Sequence, residues 1–249
     1  MFQKEIEFTS NKLIIEDKDI CPEPTKLNIP DWYKKLDHSI EHRTVKGCMP
    51  FLDTLTTGYI LKMPIDYYVE HNVEIDGEKR TGMQSSAIDI DDTINLNYND
   101  HQNFHHPRQL EGCPYLEKNK NLNFHKIMNP FVIKTPPGYS SLFLPPMNNP
   151  DDRFSIIPGI VDTDTYNLEI NFPILFNGDK YESLKTTIKR GTPYVQVIPF
   201  KRDSWKMSIK EKKEKKRKGG GLRTEEAFNF YKYIINNYKR ISWSKKSWK

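Results

Sequence analysis

No apolar run in this chain reaches the roughly 18 residues that a membrane-spanning helix needs, and the opening stretch MFQKEIEFTSNK carries no apolar signal segment. These absences predict a soluble, unsecreted protein without a membrane partner. Cysteine is scarce: Cys21, Cys48 and Cys113 are three, odd in number, far apart and without a CxxC pair. That excludes a disulfide framework and a zinc ribbon, and it fits a reducing cytoplasm. No internal repeat is visible.

What is present points to a folded, loop-rich chain. Its 249 residues contain 36% hydrophobic and 12% aromatic residues with 17 prolines, and a chain of this length buries roughly three quarters of its unfolded surface. Asn, Lys, Ile and Tyr are abundant, a bias common in AT-rich genomes, phages among them; the expected setting is a phage-infected bacterial cell. The net charge of +5 hides an asymmetry. Residues 201–249 hold 17 Lys and Arg against 5 Asp and Glu, whereas the first 200 residues hold 21 against 28. An acidic body therefore carries a basic tail.

Three regions follow from the patterning. Residues 1–45 alternate short apolar pieces with turn signals and read as an extended N-terminal arm with a short helix near Asp31–Leu36. Residues 46–203 read as a β-rich core domain. In it, CMPFLDTLTTGYILKMPIDYYVEHNVEI is expected to form a strand, a turn at MPID and a second strand, and the polar stretch from Asp76 to Asn103 an edge strand with loops. From Phe124 to Arg202, short β-branched runs broken by Gly, Pro, Asp and Asn, with no intervening helix, predict a mainly β barrel or sandwich. Residues 204–249 read as a basic linker followed by an amphipathic helix, since Ala227, Phe228, Tyr231, Ile234, Ile235, Tyr238 and Ile241 recur at helical spacing.

The order TTGYILKMPIDYYV, TPPGYSSLFLPP, GIVDTDTYNLEINFPILFN and IKRGTPYVQVIPF resembles the β-clip fold of dUTPases and dCTP deaminases over about Thr56 to Phe200. TPPGY with GIVDTD and GTPYVQVIPF also resembles a phage and bacterial family that implies no function. The first resemblance implies a nucleotide pocket lined by Gly138, Tyr139, Gly159, Asp164, Tyr166 and Gln196, with Asp162 as the carboxylate that activates water. Departures accompany it. Ile60 stands where that family keeps a metal-associated aspartate, and Leu144, Pro145 and Pro146 occupy the region of its phosphate-gripping serines and arginine. The bland reading of Asp162 and Asp164 is that they end a strand and hydrogen-bond their own turn.

Two further constellations remain. His101, His105 and His125 are candidate metal ligands, although the adjacent His105 and His106 would face opposite sides of a strand. In the tail, Lys216, Arg217, Lys218, Arg223, Lys245 and Lys246, interleaved with tryptophans, fit a nucleic-acid strand, an acidic protein surface or plain solvent. Two functional classes are carried forward. One is a binding or assembly protein without an intact catalytic set, joined through its arms to a homo-oligomer or another protein. The other is a nucleotide-handling hydrolase, which would need Mg2+.

Overall fold

Short runs of β-branched and aromatic residues form antiparallel strands throughout the residues that the computed structural model describes, namely 4–39, 41–85, 89–91, 94–95, 104–211 and 238–249. β1 (Glu7–Thr9) and α1 (Lys12–Glu16) come first, α1 being capped by Asn11, whose side chain accepts from the Leu13 N–H at 2.9 Å. β2 (Glu23–Pro24) and α2 (Asp31–Lys35) follow. α2 is the helix expected near Asp31, with an acid in its first turn and two lysines in its last, as the helix dipole favours.

The stretch after Cys48 departs from expectation. Met49–Thr54 is a helix, α3, with Pro50 in its first turn, and the strand is confined to β3 (Tyr59–Lys62). A stretch of six residues carries no clear period of its own, and Pro50 at a position that needs no N–H donor tips it to helix. Pro64 lies in the turn that leads to β4 (Tyr67–Ile75). β4 and β5 (Glu78–Ser85) form a long hairpin through Asp76 and Gly77, whose φ angles of 54° and 80° are those of a two-residue hairpin turn. The polar segment beyond Asp76 is therefore more regular than its composition implies. It continues into the ribbon of β6 (Asp89–Asp91) and β7 (Ile94–Asn95) and then β8 (Phe104–His105).

α4 (Pro114–Lys118) interrupts the strands, and the rest are β9 (Phe124–Ile127), β10 (Val132–Lys134), β11 (Tyr139–Leu144), β12 (Phe154–Ile156), β13 (Gly159–Val161), β14 (Phe172–Phe176), β15 (Leu184–Ile188) and β16 (Pro193–Lys201). The expected C-terminal helix lies outside the described residues, apart from its end, where Tyr238–Ser242 forms one π-helical turn. No described helix is long and apolar enough to cross a membrane.

The central sheet runs β13-β11-β16-β3-β2. A second runs β12-β14-β9-β8, a third β15-β4-β5, and β1 pairs with β10. All pairings are antiparallel, and among the described residues each sheet is open, so no closed barrel forms. The inner faces meet over one core in which Phe172 meets Phe143 in a tilted contact and Tyr194 edge to face, at centroid distances of 5.3 and 5.8 Å, surrounded by Leu61, Ile65, Val69, Ile174 and Val195. Gly58, at φ +78°, lies so close to the Val197 carbonyl oxygen that a Cβ there would collide with it.

The N-terminal residues wrap this body. The Phe8 ring meets Tyr59 at 5.5 Å, and Ile14, Ile20 and Phe131 build a small second core. Arg190 in the β15–β16 turn bridges to Asp17 and Asp19.

Candidate functional site

Strand register brings the PPGY turn and the GIVDTD loop together. β11 pairs with β13 so that Ser141 faces Val161 and Leu142 faces Ile160. Continuing that ladder sets Ser140 beside Asp162 and Gly138 beside Asp164. β11 also pairs with β16, Tyr139 opposite Lys201, which sets Gly138 beside Arg202. Side chains alternate along each strand. Thr163 therefore points inward, where it bonds the hydroxyls of Thr135 at 2.8 Å and Ser141 at 3.0 Å. Asp162 and Asp164 point outward on either side of it.

One guanidinium binds this outward face. Arg202 forms a two-pronged ion pair with Asp164, Nη1 to Oδ1 at 2.8 Å and Nη2 to Oδ2, and Nη1 also donates to the Ser140 hydroxyl and the Tyr139 carbonyl, each at 3.0 Å. The Gly138 N–H donates to Asp164 Oδ2 at 2.8 Å from a backbone at φ +84°, a conformation that favours glycine. Asp162 accepts from the Ser140 hydroxyl at 2.6 Å, with Arg202 Nη1 3.2 Å away. Hydrogen bonds from Arg202, then from Gly138, hold the Asp164 carboxyl down at about 2, and the same pair pushes the Arg202 guanidinium up. Because the folded value is below the ordinary 3.8, this pair stabilises the fold above that pH and ceases to as the pH falls through about 2. Lys4 Nζ lies 4.3 Å from the centre of the Tyr139 ring and completes a cationic fringe.

The arrangement is a clamp. Asp164 accepts three hydrogen bonds, two from a guanidinium and one from an amide, and its side chain is only 6% exposed. Asp162 is the more available group: its side chain is 61% exposed at the edge of a shallow depression of about 410 Å³ shared with Ile160 and Tyr166. Its own carbonyl accepts from the Thr165 and Tyr166 N–H groups, so the turn is self-bonded as well.

Of the sequence-predicted site residues, Asp162, Asp164, Gly138 and Tyr139 come together, and Gly159 and Tyr166 flank them. Gln196 does not join them. It is fully buried, accepting from the Met147 N–H at 3.0 Å and donating to the Thr54 and Thr57 carbonyls at 3.1 and 2.7 Å. His105 and His125 face opposite sides of the β8–β9 pair, since the register matches Phe104 with His125 and His105 with Phe124. His105 bonds Gln109 at 2.6 Å, His125 is buried, and His101 lies outside the described residues. Among the described residues, no three His, Cys, Asp or Glu side chains stand together as a metal site.

In the tail, Lys216, Arg217, Lys218 and Arg223 lie outside the described residues, and Lys245 is exposed. The last seven residues rest on the body. Trp243 Nε1 donates to both oxygens of Asp53 at 3.2 Å, Lys246 bonds the same carboxylate, and the Trp248 ring meets Tyr59 at 5.8 Å. Sequence reasoning passed over Arg202, Asp53 and a buried His71. The strand ladder could have found Arg202, because it places that residue across from the glycine of PPGY.

A scan against protein-family models returns no match for this chain, and a search of curated proteins returns none either.

Proposed function

We propose that this chain is a phage-encoded binding or assembly protein that uses a β-clip-like body as a scaffold and has no intact catalytic set. The observation that carries this reading is the engagement of both loop aspartates by Arg202, Ser140 and Gly138. A hydrolytic base needs a lone pair aimed at water in a site that also grips phosphates. Here the nearby cation is matched by carboxylates, and it stands at the root of the C-terminal segment. The loop thus fixes where that segment leaves the body.

A second reading, a nucleotide-handling enzyme of the dUTPase and dCTP deaminase type, draws support from the exposed Asp162 beside the Tyr166 depression. It requires Mg2+ and predicts triphosphate cleavage that Asp162→Asn abolishes. The assay is pyrophosphate release from each deoxynucleoside triphosphate with magnesium, on wild type and Asp162→Asn. The assembly reading expects no release above the no-enzyme rate from either. Turnover lost in the variant would replace it with the enzyme.

A further inference from the structure

Residues 243–249 meet the body at a site built from two neighbouring elements. Asp53 stands in the last turn of α3, and Tyr59 opens β3. An acid in a helix's last turn opposes the helix dipole, so this carboxylate does not serve its own helix. Its side-chain partners come from the tail. The Trp243 indole N–H is shared between both carboxylate oxygens at 3.2 Å, and the Lys246 ammonium pairs with Oδ2. Six residues after Asp53, the Tyr59 ring meets Phe8 at 5.5 Å and the Trp248 ring edge-on at 5.8 Å, and its hydroxyl donates to the Lys249 carbonyl at 3.3 Å.

The segment suits such a site. YKRISWSKKSWK, residues 238–249, contains bases and no acid. Trp243 and Trp248 are half-buried while the four residues between them are exposed, so the segment is held by its indoles, the side chains that most often carry the energy of a small interface. The turn Tyr238–Ser242, closed by the Trp243 N–H donating to the Tyr238 carbonyl at 2.6 Å, presents the first of them. The contact is also built to open. Residues 243–249 add no strand to a sheet, the Lys246 side chain is 46% exposed, and the Trp248 N–H is covered without a hydrogen-bond partner among the described residues. A covered donor left unpaired weakens the seat, and an ion pair that water reaches is screened by salt.

We infer that Asp53 and Tyr59 form a recognition site for a basic, indole-bearing segment, and that residues 243–249 of the same chain occupy it as a tethered, releasable latch. The occupant is the segment seated there, joined through residues 203–242 to its root, where Arg202 binds Asp164. A tethered ligand acts at an effective concentration that reaches the order of mM, so a contact too weak to retain a free peptide still keeps the site filled. A partner that carries a segment of the same chemistry has to displace the latch first. This inference goes beyond the assembly reading and does not depend on it, because Asp53 and Tyr59 take no part in the GIVDTD loop.

The test uses the full-length chain and a fluorescein-labelled peptide of residues 238–249, read by anisotropy. The latch variant Trp243→Ser, Lys246→Ser, Trp248→Ser empties the site and should bind the peptide saturably. Wild type should bind it about tenfold more weakly or worse, because its own segment competes. Adding Asp53→Asn to the latch variant should weaken the peptide by about tenfold or more, and raised salt should weaken it as well. Asp53→Asn keeps the shape of the side chain, and a cooperative melting transition in each variant verifies the fold. Equal binding by wild type and the latch variant would show that the site is not filled from the same chain. Binding indifferent to Asp53→Asn would place the peptide elsewhere. No binding to the latch variant up to about 1 mM, the concentration scale that a tether supplies, would show that there is no recognition site. Each of these three results overturns the latch, and none of them bears on the triphosphate assay, which decides the assembly reading separately.

Discussion

Gln196→Leu is expected to destabilise the protein by about 4 kcal/mol, because it leaves the Met147 N–H and the Thr54 carbonyl without their buried partner at roughly 1–3 kcal/mol each. The Thr57 carbonyl loses less, since the Thr25 hydroxyl also donates to it at 2.9 Å. Gln196 projects from β16 and ties together two connections that have no ladder of their own, the turn after α3 and the loop after β11. Urea denaturation measures the effect as a shift in midpoint at unchanged slope. A loss under about 1 kcal/mol would show that the loops find other partners. The resemblance to nucleotide enzymes gives this glutamine a ligand to read. Its burial and its three backbone partners give it a structural task instead.

The second large effect is acid sensitivity centred on a pair of histidines in the core. His71 on β4 and His125 on β9 are both buried, joined through the Thr81 hydroxyl at 3.0 Å from His71 Nδ1 and 3.4 Å from His125 Nε2. The Phe176 ring lies 4.8 Å from the first imidazole and 6.4 Å from the second. Burial pushes each imidazole from 6.5 down to about 4, and for His71 the facing His125 and Lys120 act in the same direction. Folded values below the unfolded one mean that the fold is favoured fully above pH 6.5 and loses that stability as the pH falls towards 4. There the unfolded chain takes up protons that the native chain refuses. Each imidazole is worth about 3 kcal/mol across that window. Together they amount to a large part of the 5–15 kcal/mol by which domains of this kind are stable. The carboxylates held low by partners, Asp66, Asp151 and Asp164, lose their contribution only below the ordinary 3.8, so the two windows separate. Urea titrations at pH 7.5 and 4.5 should differ by about 5 kcal/mol in wild type. The difference should shrink strongly in the His71→Gln, His125→Gln double variant. An equal difference in both proteins would remove the histidines from the account.

Much of the β architecture is legible along the chain because its punctuation is local. Gly138 after two prolines marks a turn with positive φ, Pro64 and Gly191 mark others, and the apolar runs between them are strands. The α2 helix is equally legible from Asp31 and its two lysines. α3 is not, since MPFLDT is too short to display a period and its helical state is tied to packing of Phe51 against α2, where Tyr33 stacks on Phe51 at 5.9 Å. The candidate site was half legible. Asp162 and Asp164 announce themselves beside Gly159. Their governing partner is Arg202, about forty residues downstream, in a segment that reads as the start of a charged linker. His71 stands in an alternating strand with nothing beside it to signal burial, and its pairing with His125 depends on two sheets meeting.

The proposed function requires that the GIVDTD loop anchor the C-terminal segment and hold no nucleotide. Thermal-shift melting with each deoxynucleotide and magnesium tests this most directly, on the full-length chain and on a chain ending at Arg202, because any ligand of the native state raises the melting temperature by mass action. No nucleotide should move either transition. A rise of several degrees for one nucleotide, lost in Asp162→Asn, would contradict the claim and make the exposed aspartate part of a binding pocket.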